Sequence, residues 1–434
     1  MLEQDPVHPV SARALAYFDN LFPESDRSPS QNPLSQRPKN ERDIVKMVKE
    51  FDEFGHKTQE FVDEGLTYLA NEFWTSGQRQ AHSIHEISYR ACFKPQLPEF
   101  FISRLTSKGD GVYDPFMGRG TTPIQAALMG RRPLANDVNP LSVLLTRPRL
   151  NVPDLSAVVA RLAAIDWDRK VSIREDLLAF YHPTTLRHIH CLQEWLFEAA
   201  PPDCKEPDPV ADWIRMVALN RLTGHSPGFF SVYSLPPNQA VSVAAQERIN
   251  LKRGQTPPPR DVVKIILKKS RSLLSDGFMA AHPKSTLSTG LASCAQEIAE
   301  KSASLVVTSP PFLDIVQYAD DNWLRCWFAG INANAIEIAM HRNEAAWEAM
   351  ARDVLTDLAR IVAPGGHVAF EVGEVRKGKV LLERLVWRAT EGLPFERLAV
   401  MVNQQEFTKT ANCWGVSNNN GGTNTNRIVM LRRL

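Results

Sequence analysis

Short apolar runs alternate with amphipathic helical patterns through much of the chain. Three of the runs adjoin turn residues, as expected for buried strands, and these are residues 111–113, residues 304–307 and the run HVAFEV at 367–372. Apolar side chains at helical spacing dominate residues 121–130 and 345–362. Strands that alternate with helices favour an α/β fold with a doubly wound, mainly parallel sheet covered on both faces.

The segments outside this alternation have a different character. Residues 43–75 carry apolar side chains at helical spacing and predict a helical N-terminal extension, which follows a flexible linker rich in Pro and Ser at 23–42. We therefore expect three parts: an N-terminal extension at 1–84, an α/β domain made from 85–150 and 284–434, and a largely helical insert at 151–283.

The segment DPFMGRG at 114–120 has the character of a ligand-binding turn. A strand is predicted to end at Asp114, and Gly118 and Gly120 then permit a tight turn with close approach of the backbone to a ligand. The loop lacks the GxxxxGK[ST] pattern of a phosphate cradle, and it is shorter than the GxGxxG loop of dinucleotide sites. A small ligand other than these is therefore favoured.

Two features beyond the loop strengthen this interpretation. Thr121 and Thr122 are predicted to cap a helix whose first amides face the loop. A second strand is predicted to end at Asp137, where an acid can accept hydrogen bonds from ribose hydroxyls.

The segment TSPPF at 308–312 follows another apolar strand. Its two prolines lack amide hydrogens and make a rigid turn, so a hydroxyl, fixed carbonyls and an aromatic ring lie together at the end of a strand. Ser309 and the Pro310 carbonyl could accept the hydrogens of an exocyclic amine, while Phe312 could stack on the base that carries it. In open α/β sheets ligands bind at this edge.

Taken together, DPFMGRG and TSPPF resemble the FxGxG and the (Asp/Asn/Ser)-Pro-Pro-(Tyr/Phe) motifs of the amino-methylating DNA methyltransferases. This family transfers a methyl group from S-adenosylmethionine to cytosine N4 or adenine N6. The order of the two motifs, with a long interval between them, is similar to the alpha arrangement, in which the target-recognition region lies in the interval. The resemblance implies the class I, Rossmann-like methyltransferase fold. Residues 85–105 resemble the segment that closes over the methionine end of the cofactor.

The resemblance implies a set of site residues in this chain. The catalytic set is Ser309, Pro310, Pro311 and Phe312. The residues expected to bind S-adenosylmethionine are Lys94, Asp114, Pro115, Phe116, Gly118, Gly120, Thr121, Thr122, Asp137, Thr289 and Thr308. No metal is expected.

The target atom is predicted from one residue. In the family that the chain resembles, serine before the two prolines is commoner in cytosine-N4 enzymes, and Asp or Asn is commoner in adenine-N6 enzymes. Ser309 therefore favours cytosine N4, with adenine N6 as the alternative. Methylation at cytosine C5 is disfavoured because the chain contains no Pro-Cys dipeptide.

The insert is the part of the chain expected to bind double-stranded DNA. It combines aromatic residues among turn formers with a strongly basic stretch at 248–271, a composition that suits contacts to phosphates and to distorted bases. A solvated helix face is the alternative for this stretch. The residues predicted to contact DNA are Phe229, Tyr233, Arg248, Lys252, Arg253, Arg260, Lys268 and Lys269.

Three other classes of protein were weighed against this one. Some RNA base methyltransferases share a DPF-type loop and a Pro-Pro turn, but the long basic insert favours DNA. A catalytically inactive DNA-binding subunit is disfavoured because both motifs are intact, and a nucleotide-dependent oxidoreductase is disfavoured by the short glycine loop. A cognate restriction endonuclease is a further candidate partner.

Composition adds constraints on where the protein works. The 50 basic and 49 acidic residues give a net charge of +1, which excludes a uniformly basic coat but not a local basic patch. The six cysteines form no CxxC pair, a pattern that favours a reducing compartment over a disulfide framework. With no apolar run long enough to span a membrane and no secretory signal pattern, we expect a cytoplasmic protein of prokaryotic or phage type.

Overall fold

The computed structural model describes residues 43–74, 81–90, 92–201, 204, 207–235, 239–277, 284–313, 318–336, 338, 341–376, 379–404 and 425–434. The predicted linker at 23–42 lies outside the described residues. Eleven strands are described: β1 Gln59–Asp63, β2 Leu66–Asn71, β3 Gly111–Asp114, β4 Arg132–Asp137, β5 Thr286–Thr289, β6 Ala303–Thr308, β7 Val362–Val372, β8 Glu374–Val375, β9 Val380–Leu381, β10 Phe395–Gln404 and β11 Thr425–Arg433.

The described residues also form twelve α-helices. They are α1 Ile44–Lys49, α2 Gln96–Leu105, α3 Thr121–Leu128, α4 Pro140–Leu150, α5 Leu155–Ala163, α6 Pro183–Ala199, α7 Pro209–Leu219, α8 Val243–Arg253, α9 Val262–Leu273, α10 Tyr318–Ala329, α11 Glu344–Ile361 and α12 Leu382–Ala389. Short 3₁₀ turns occur at Ser83–His85, Glu175–Ala179 and Ala333–Ala335.

Nine of the strands form one sheet in the order β1-β2-β10-β11-β7-β6-β3-β4-β5. Strands β5, β4, β3, β6 and β7 are parallel, whereas β11 is antiparallel to both of its neighbours. From β3 the chain proceeds outward to β4 and β5, then returns to β6 on the other side. This reversal creates a switch point between β3 and β6, where open α/β sheets bind their ligands.

The two faces of the sheet are covered by different helices, as alternation of side chains along a strand requires. Val112, Leu305 and Ala369 pack with residues of α1, α2 and α3 in one apolar cluster. Their neighbours Tyr113 and Val306 point to the other face and pack with α11 and α12. The predicted doubly wound α/β fold is confirmed.

The insert is largely helical, as predicted, with α5 to α9 in its described residues. It shares an apolar cluster with α3, α4 and α10, so it packs onto the α/β core through a continuous interior. No helix in the described part of the chain is long and apolar enough to cross a membrane.

The N-terminal extension departs from the prediction. Among its described residues only Ile44–Lys49 is α-helical, and the helical pattern predicted for 43–75 is wrong at 59–71 because β1 and β2 form a hairpin there. Glu64 and Gly65 both have positive φ, 46° and 78°, which is the backbone of a two-residue hairpin turn. Through β2 the hairpin pairs in parallel with β10 and extends the main sheet.

Candidate active site

A cleft opens at the carboxyl ends of the parallel strands. Pro115, Phe116, Met117, Gly118 and Thr121 line it after β3, and Asp137, Val138 and Asn139 line it after β4. The remaining lining residues are Tyr89, Cys92, Phe93, Leu291, Ala292, Ser293, Ser309, Pro311, Ile338, Met350 and Val354. The glycine loop and the Pro-Pro turn, 190 residues apart in sequence, therefore face one cavity.

Both glycines of the loop have backbone conformations that favour glycine. Gly118 has a φ of 50° and Gly120 a φ of 80°. A Cβ at position 120 would also overlap the Oγ1 of Thr146 on α4. The loop thus lies against α4 more closely than any side chain at 120 would allow.

The predicted helix caps are wrong. The N-cap of α3 is Gly120, and no side chain caps this helix. Thr122 Oγ1 instead donates to the carbonyl of Val307, at 3.0 Å, and ties α3 to β6. Thr121 lines the cleft at the first turn of α3, where unpaired amides favour an anionic group.

Asp137 closes the loop from the side of β4. Its Oδ2 accepts from the Gly118 amide at 2.8 Å and its Oδ1 from the Asn139 amide at 2.9 Å. Burial raises the pKa of this carboxyl, although the hydrogen bonds oppose the shift. The carboxylate remains at the cleft surface, where its other lone pairs can accept hydrogen bonds from hydroxyl groups.

Asp114 lies beneath the cleft and joins its two halves. The buried Oδ1 accepts from Thr308 Oγ1 at 2.7 Å and from the Phe116 amide at 3.1 Å. Burial raises the pKa of Asp114 to about 7. Since Thr308 directly precedes Ser309, this contact fixes the glycine loop relative to the Pro-Pro turn.

A buried acid that the sequence analysis missed holds the Pro-Pro turn. The Ser309 hydroxyl donates to the carboxylate of Glu371 on β7, which also accepts from Asn426 Nδ2 at 2.8 Å. Glu371 is buried, and burial raises its pKa to about 7. A lone acid within the apolar run HVAFEV was the signal that could have revealed it, because such a residue in a central strand needs a partner.

The far side of the turn is anchored by an aromatic residue. Trp347 on α11 is fully buried, and its Nε1 donates to the carbonyl of Pro311 at 2.9 Å. This bond, with those to Ser309 and Thr308, holds three of the five residues of TSPPF by side chains from three different elements.

The predicted residues divide into those at the cleft and those behind it. Pro115, Phe116, Gly118, Thr121, Asp137, Ser309 and Pro311 line the cavity. Four others are not among the lining residues and instead support residues that are: Gly120, Asp114, Thr122 and Thr308. Pro310 is buried, and Phe312 packs partly against the apolar cluster under α11. Lys94 and Thr289 are exposed and are not among the lining residues, whereas residues 291–293, just beyond Thr289, are.

Two of the residues predicted to contact DNA are buried. Phe229 is 5% exposed and lies under the guanidinium of Arg221, at 4.1 Å. Lys269 is 9% exposed and pairs with Glu86 at 3.0 Å. Both serve the interior of the insert, so this part of the prediction is wrong.

The other basic residues lie at the surface. Arg248, Lys252, Arg253 and Lys268 are exposed, and Arg260 is half-buried. The guanidinium of Arg253 lies 3.8 Å from the ring of Tyr233. The solvated set is therefore smaller than predicted and is concentrated on α8.

Comparisons with known proteins agree with the motifs. Residues 28–145 match the family of N6 and N4 methyltransferases described as DNA methylase. The chain is 38% identical over 77 residues to the type II methyltransferase M.MjaII of Methanocaldococcus jannaschii, covering 18% of this chain and 14% of that protein. It is 30% identical over 119 residues to the type II methyltransferase M.BsoBI of Geobacillus stearothermophilus, covering 27% and 20%.

These matches are partial. The chain spans no more than about a fifth of the length of the curated relatives that it matches. A solved structure, TrmN from Thermus thermophilus, is 12% identical with a TM-score of 0.31, covering 80% of this chain and 50% of that one.

The sheet order, the glycine loop and the acid after β4 define a class I, Rossmann-like methyltransferase fold. The matched segment at 28–145 is similar to the N4/N6 amino-methyltransferase family. S-adenosylmethionine is the cofactor of this class, and the cleft fits it. The cleft offers a carboxylate for hydroxyls, a helix start for an anion and aromatic walls.

Proposed function

We propose that this chain is a DNA methyltransferase that methylates the exocyclic amine of a base flipped out of the duplex, with cytosine N4 as the preferred target. The observation that carries the proposal is the meeting of Ser309 and Pro311 with Gly118 and Asp137 in one cleft. The Ser309 hydroxyl suits an amine, whereas Gly118 and Asp137 suit the ribose and the methionine part of the methyl donor. The proposal is supported by the partial relatives, both of which are named methyltransferases.

The chain's part in the reaction is mainly positioning. When bound, S-adenosylmethionine supplies a methyl group on a positively charged sulfur. Because the Ser309 hydroxyl donates its hydrogen to Glu371, its oxygen lone pairs are free to accept a hydrogen of the target amine. This contact aims the amine nitrogen at the methyl group and stabilises the positive charge that develops on nitrogen, which then loses a proton.

The preference for cytosine N4 rests on the resemblance of the turn to cytosine-N4 enzymes, in which serine before the two prolines is commoner. A serine that is held by a buried acid presents one acceptor to the amine, with the Pro310 carbonyl as the second. Adenine N6 is the alternative target, because its amine has the same two hydrogens. The chemistry of the turn alone is common to both bases.

Duplex DNA is the proposed substrate because of the surface of α8. Arg248, Lys252 and Arg253 are exposed there, and Leu251 between them is 86% exposed. Cations suit phosphates, and an apolar side chain among them suits contact with bases where a duplex is distorted. Flipping the target base requires such distortion. A restriction endonuclease that cuts the same site is the proposed partner in the cell.

The decisive experiment is base-level sequencing of methylated positions in DNA from a methylation-free host that expresses the chain. N4-methylcytosine in one sequence context is the expected result. Detection of N6-methyladenine would make adenine N6 the target in place of cytosine N4, and the enzyme would still be an amino-methylating DNA methyltransferase. Methyl transfer to RNA and not to duplex DNA would contradict the proposal.

Ser309→Ala tests the role of the Pro-Pro turn. We expect turnover to fall about 100-fold, as for loss of one transition-state hydrogen bond, with cofactor affinity in calorimetry unchanged. Ser304→Ala is the matched control, since Ser304 lies on the same strand before its carboxyl end. Equal turnover in both variants would remove Ser309 from the mechanism.

A further inference from the structure

The described residues 87–90, 92 and 93, here called the wall, border the cleft and belong to no helix or strand. They lie between the 3₁₀ turn at Ser83–His85 and α2, and Tyr89, Cys92 and Phe93 line the cavity. A wall of this kind lacks the backbone ladder that makes strands and helices rigid, so its position depends on bonds to its surroundings.

Arg119, the residue between the two loop glycines, reaches this wall at both ends. Its Nη1 donates to the carbonyl of Ile87 at 2.9 Å and its Nη2 to the carbonyl of Phe93 at 3.4 Å. Its Nε donates to Thr121 Oγ1 at 3.2 Å. One guanidinium thus bridges the cofactor loop and the two ends of the segment that faces it.

Arg119 is itself held in place. Its carbonyl accepts from Arg149, a fully buried arginine on α4 that also donates to the carbonyl of Ile84 at 3.3 Å. Arg149 therefore joins the glycine loop to the 3₁₀ turn at Ser83–His85, which precedes the wall. The planar fork of an arginine suits such bridging, because it offers several donors in fixed directions.

The outer side of the wall is held by the insert and by α10. Asn220 Oδ1 accepts from the Ser88 amide at 3.0 Å, and Arg325 donates to the Ser88 carbonyl at 3.0 Å. Arg90 pairs with Asp321 at 2.8 Å. These bonds hold the middle of the wall, whereas Arg119 acts at its two ends from the glycine loop.

We propose that Arg119 is a positioning residue that sets the affinity for the cofactor by holding the wall against the cleft through Ile87 and Phe93. The inference rests on the proposed function for the identity of the ligand. Without this bridge, binding of the ligand must order the wall, and that ordering lowers the affinity. The role is specific to the side chain at 119, since the backbone of the loop is set by its glycines.

The test compares Arg119→Ala and Arg119→Lys with the unchanged chain. Hydrogen exchange of the ligand-free protein is expected to be at least about 10-fold faster in residues 85–93 of Arg119→Ala. Calorimetry with S-adenosylhomocysteine as the probe is expected to give a Kd about 10- to 100-fold higher. For Arg119→Ala, turnover at saturating cofactor should fall by a smaller factor than the factor by which the Kd rises. Arg119→Lys should have an affinity between those of Arg119→Ala and the unchanged chain.

Arg132→Ala is the matched control. Arg132 Nη2 donates to the Ser302 carbonyl at 2.8 Å, at the opposite end of β4 from the cleft. This variant should leave exchange at 85–93 and the Kd unchanged. If Arg119→Ala does not fold, Arg119→Lys carries the comparison by itself, because it keeps the charge but loses the fork.

The inference would be overturned if Arg119→Ala showed the same hydrogen exchange at 85–93 as the unchanged chain. It would also be overturned if the Kd of this variant lay within twofold of that of the unchanged chain. A loss of turnover that excess cofactor does not reduce would overturn it as well, because Arg119 would then contact the reactants. Failure of the unchanged chain to bind S-adenosylhomocysteine would count against the proposed function instead, and exchange in the ligand-free variants would still report on the wall.

Discussion

Gly120 carries two separate constraints, and they can be measured separately. Its positive φ would strain any side chain, and a Cβ there would also overlap Thr146. Gly392 has a similar φ of 74° with nothing within 4 Å of a Cβ. The pair therefore separates backbone strain from steric overlap.

We expect Gly392→Ala to lower the free energy of unfolding by about 1–2 kcal/mol, the cost of a left-handed residue. Gly120→Ala should lower it by a further 1–3 kcal/mol or so, because of overpacking against α4. Urea denaturation of the two variants measures both. Equal losses would show that the loop can move away from Thr146.

Glu371 predicts opposite effects of pH on stability and turnover. Its pKa is raised from 4.5 to about 7 by burial, so the protonated form favours the folded state. The corresponding stability is present below pH 4.5 and is lost as the pH rises to about 7, by on the order of 3 kcal/mol. The ionised form is the better acceptor for Ser309, so turnover should rise over the same interval.

Glu371→Gln should lose the rise in turnover and the part of the pH-dependent stability that Glu371 contributes. The part that Asp114 contributes should remain, because the pKa of Asp114 is also raised to about 7. Urea denaturation at pH 5 and pH 8, with single-turnover rates between them, gives the comparison. Glu391→Gln is the control, since Glu391 is exposed. A rise in turnover that persists in Glu371→Gln would assign it to another group.

The residues that the sequence could identify are those with a local pattern. Gly118, Asp137 and Ser309 each follow a strand, and a turn signal marks their place at its end. Glu371 and Trp347 act on the same site from other strands or helices, and their roles depend on tertiary contacts. Phe229 and Lys269 were misassigned because composition does not distinguish an exposed aromatic or cation from a buried one.

At the scale of elements, the N-terminal hairpin shows how an apolar pattern can mislead. In β2 most side chains are buried, whereas all five in β1 are exposed, so neither strand shows the alternation of a half-buried strand. The informative signal was local: Glu64-Gly65 is a two-residue turn between the strands. Strands β3 and β6 were predictable because they are apolar and each is followed by turn residues and a helix.

The pairing of β2 with β10 predicts a contrast between two apolar residues of the hairpin. Leu69→Ala should lower the free energy of unfolding by about 2–5 kcal/mol, because Leu69 is fully buried against α1 and β10. Val62→Ala should change it by less than about 0.5 kcal/mol, because Val62 is 69% exposed on β1. Urea denaturation checks both, and a helical extension detached from the sheet would make both effects small.

At the scale of the whole molecule, the net charge of +1 conceals an uneven distribution. Arg248, Lys252 and Arg253 are exposed on α8, and the exposed Lys268 and half-buried Arg260 lie in the same insert. If these five contact phosphates, log affinity for duplex DNA should fall against log salt with a slope of about −4 to −5.

Replacing Arg248 and Lys252 by Ala together should make that slope shallower by about 2, measured by fluorescence anisotropy over a range of salt concentrations. Lys57→Ala, an exposed cation beside the N-terminal hairpin, is the control and should leave the slope unchanged. An unchanged slope in the double variant would make this surface a solvated helix face.

The cleft draws its lining from residues as far apart as Tyr89 and Val354, and this has a consequence for the chain during synthesis. The glycine loop is synthesised long before β6, the Pro-Pro turn and α11. Likewise, β2 is synthesised long before β10, the strand with which it pairs in the main sheet. Contacts of such long sequence separation form slowly, so the nascent chain exposes unpaired strands meanwhile. Cofactor binding should therefore begin only after residue 354 has been synthesised, so binding of the ligand to a nascent chain would show that both halves of the cleft are present.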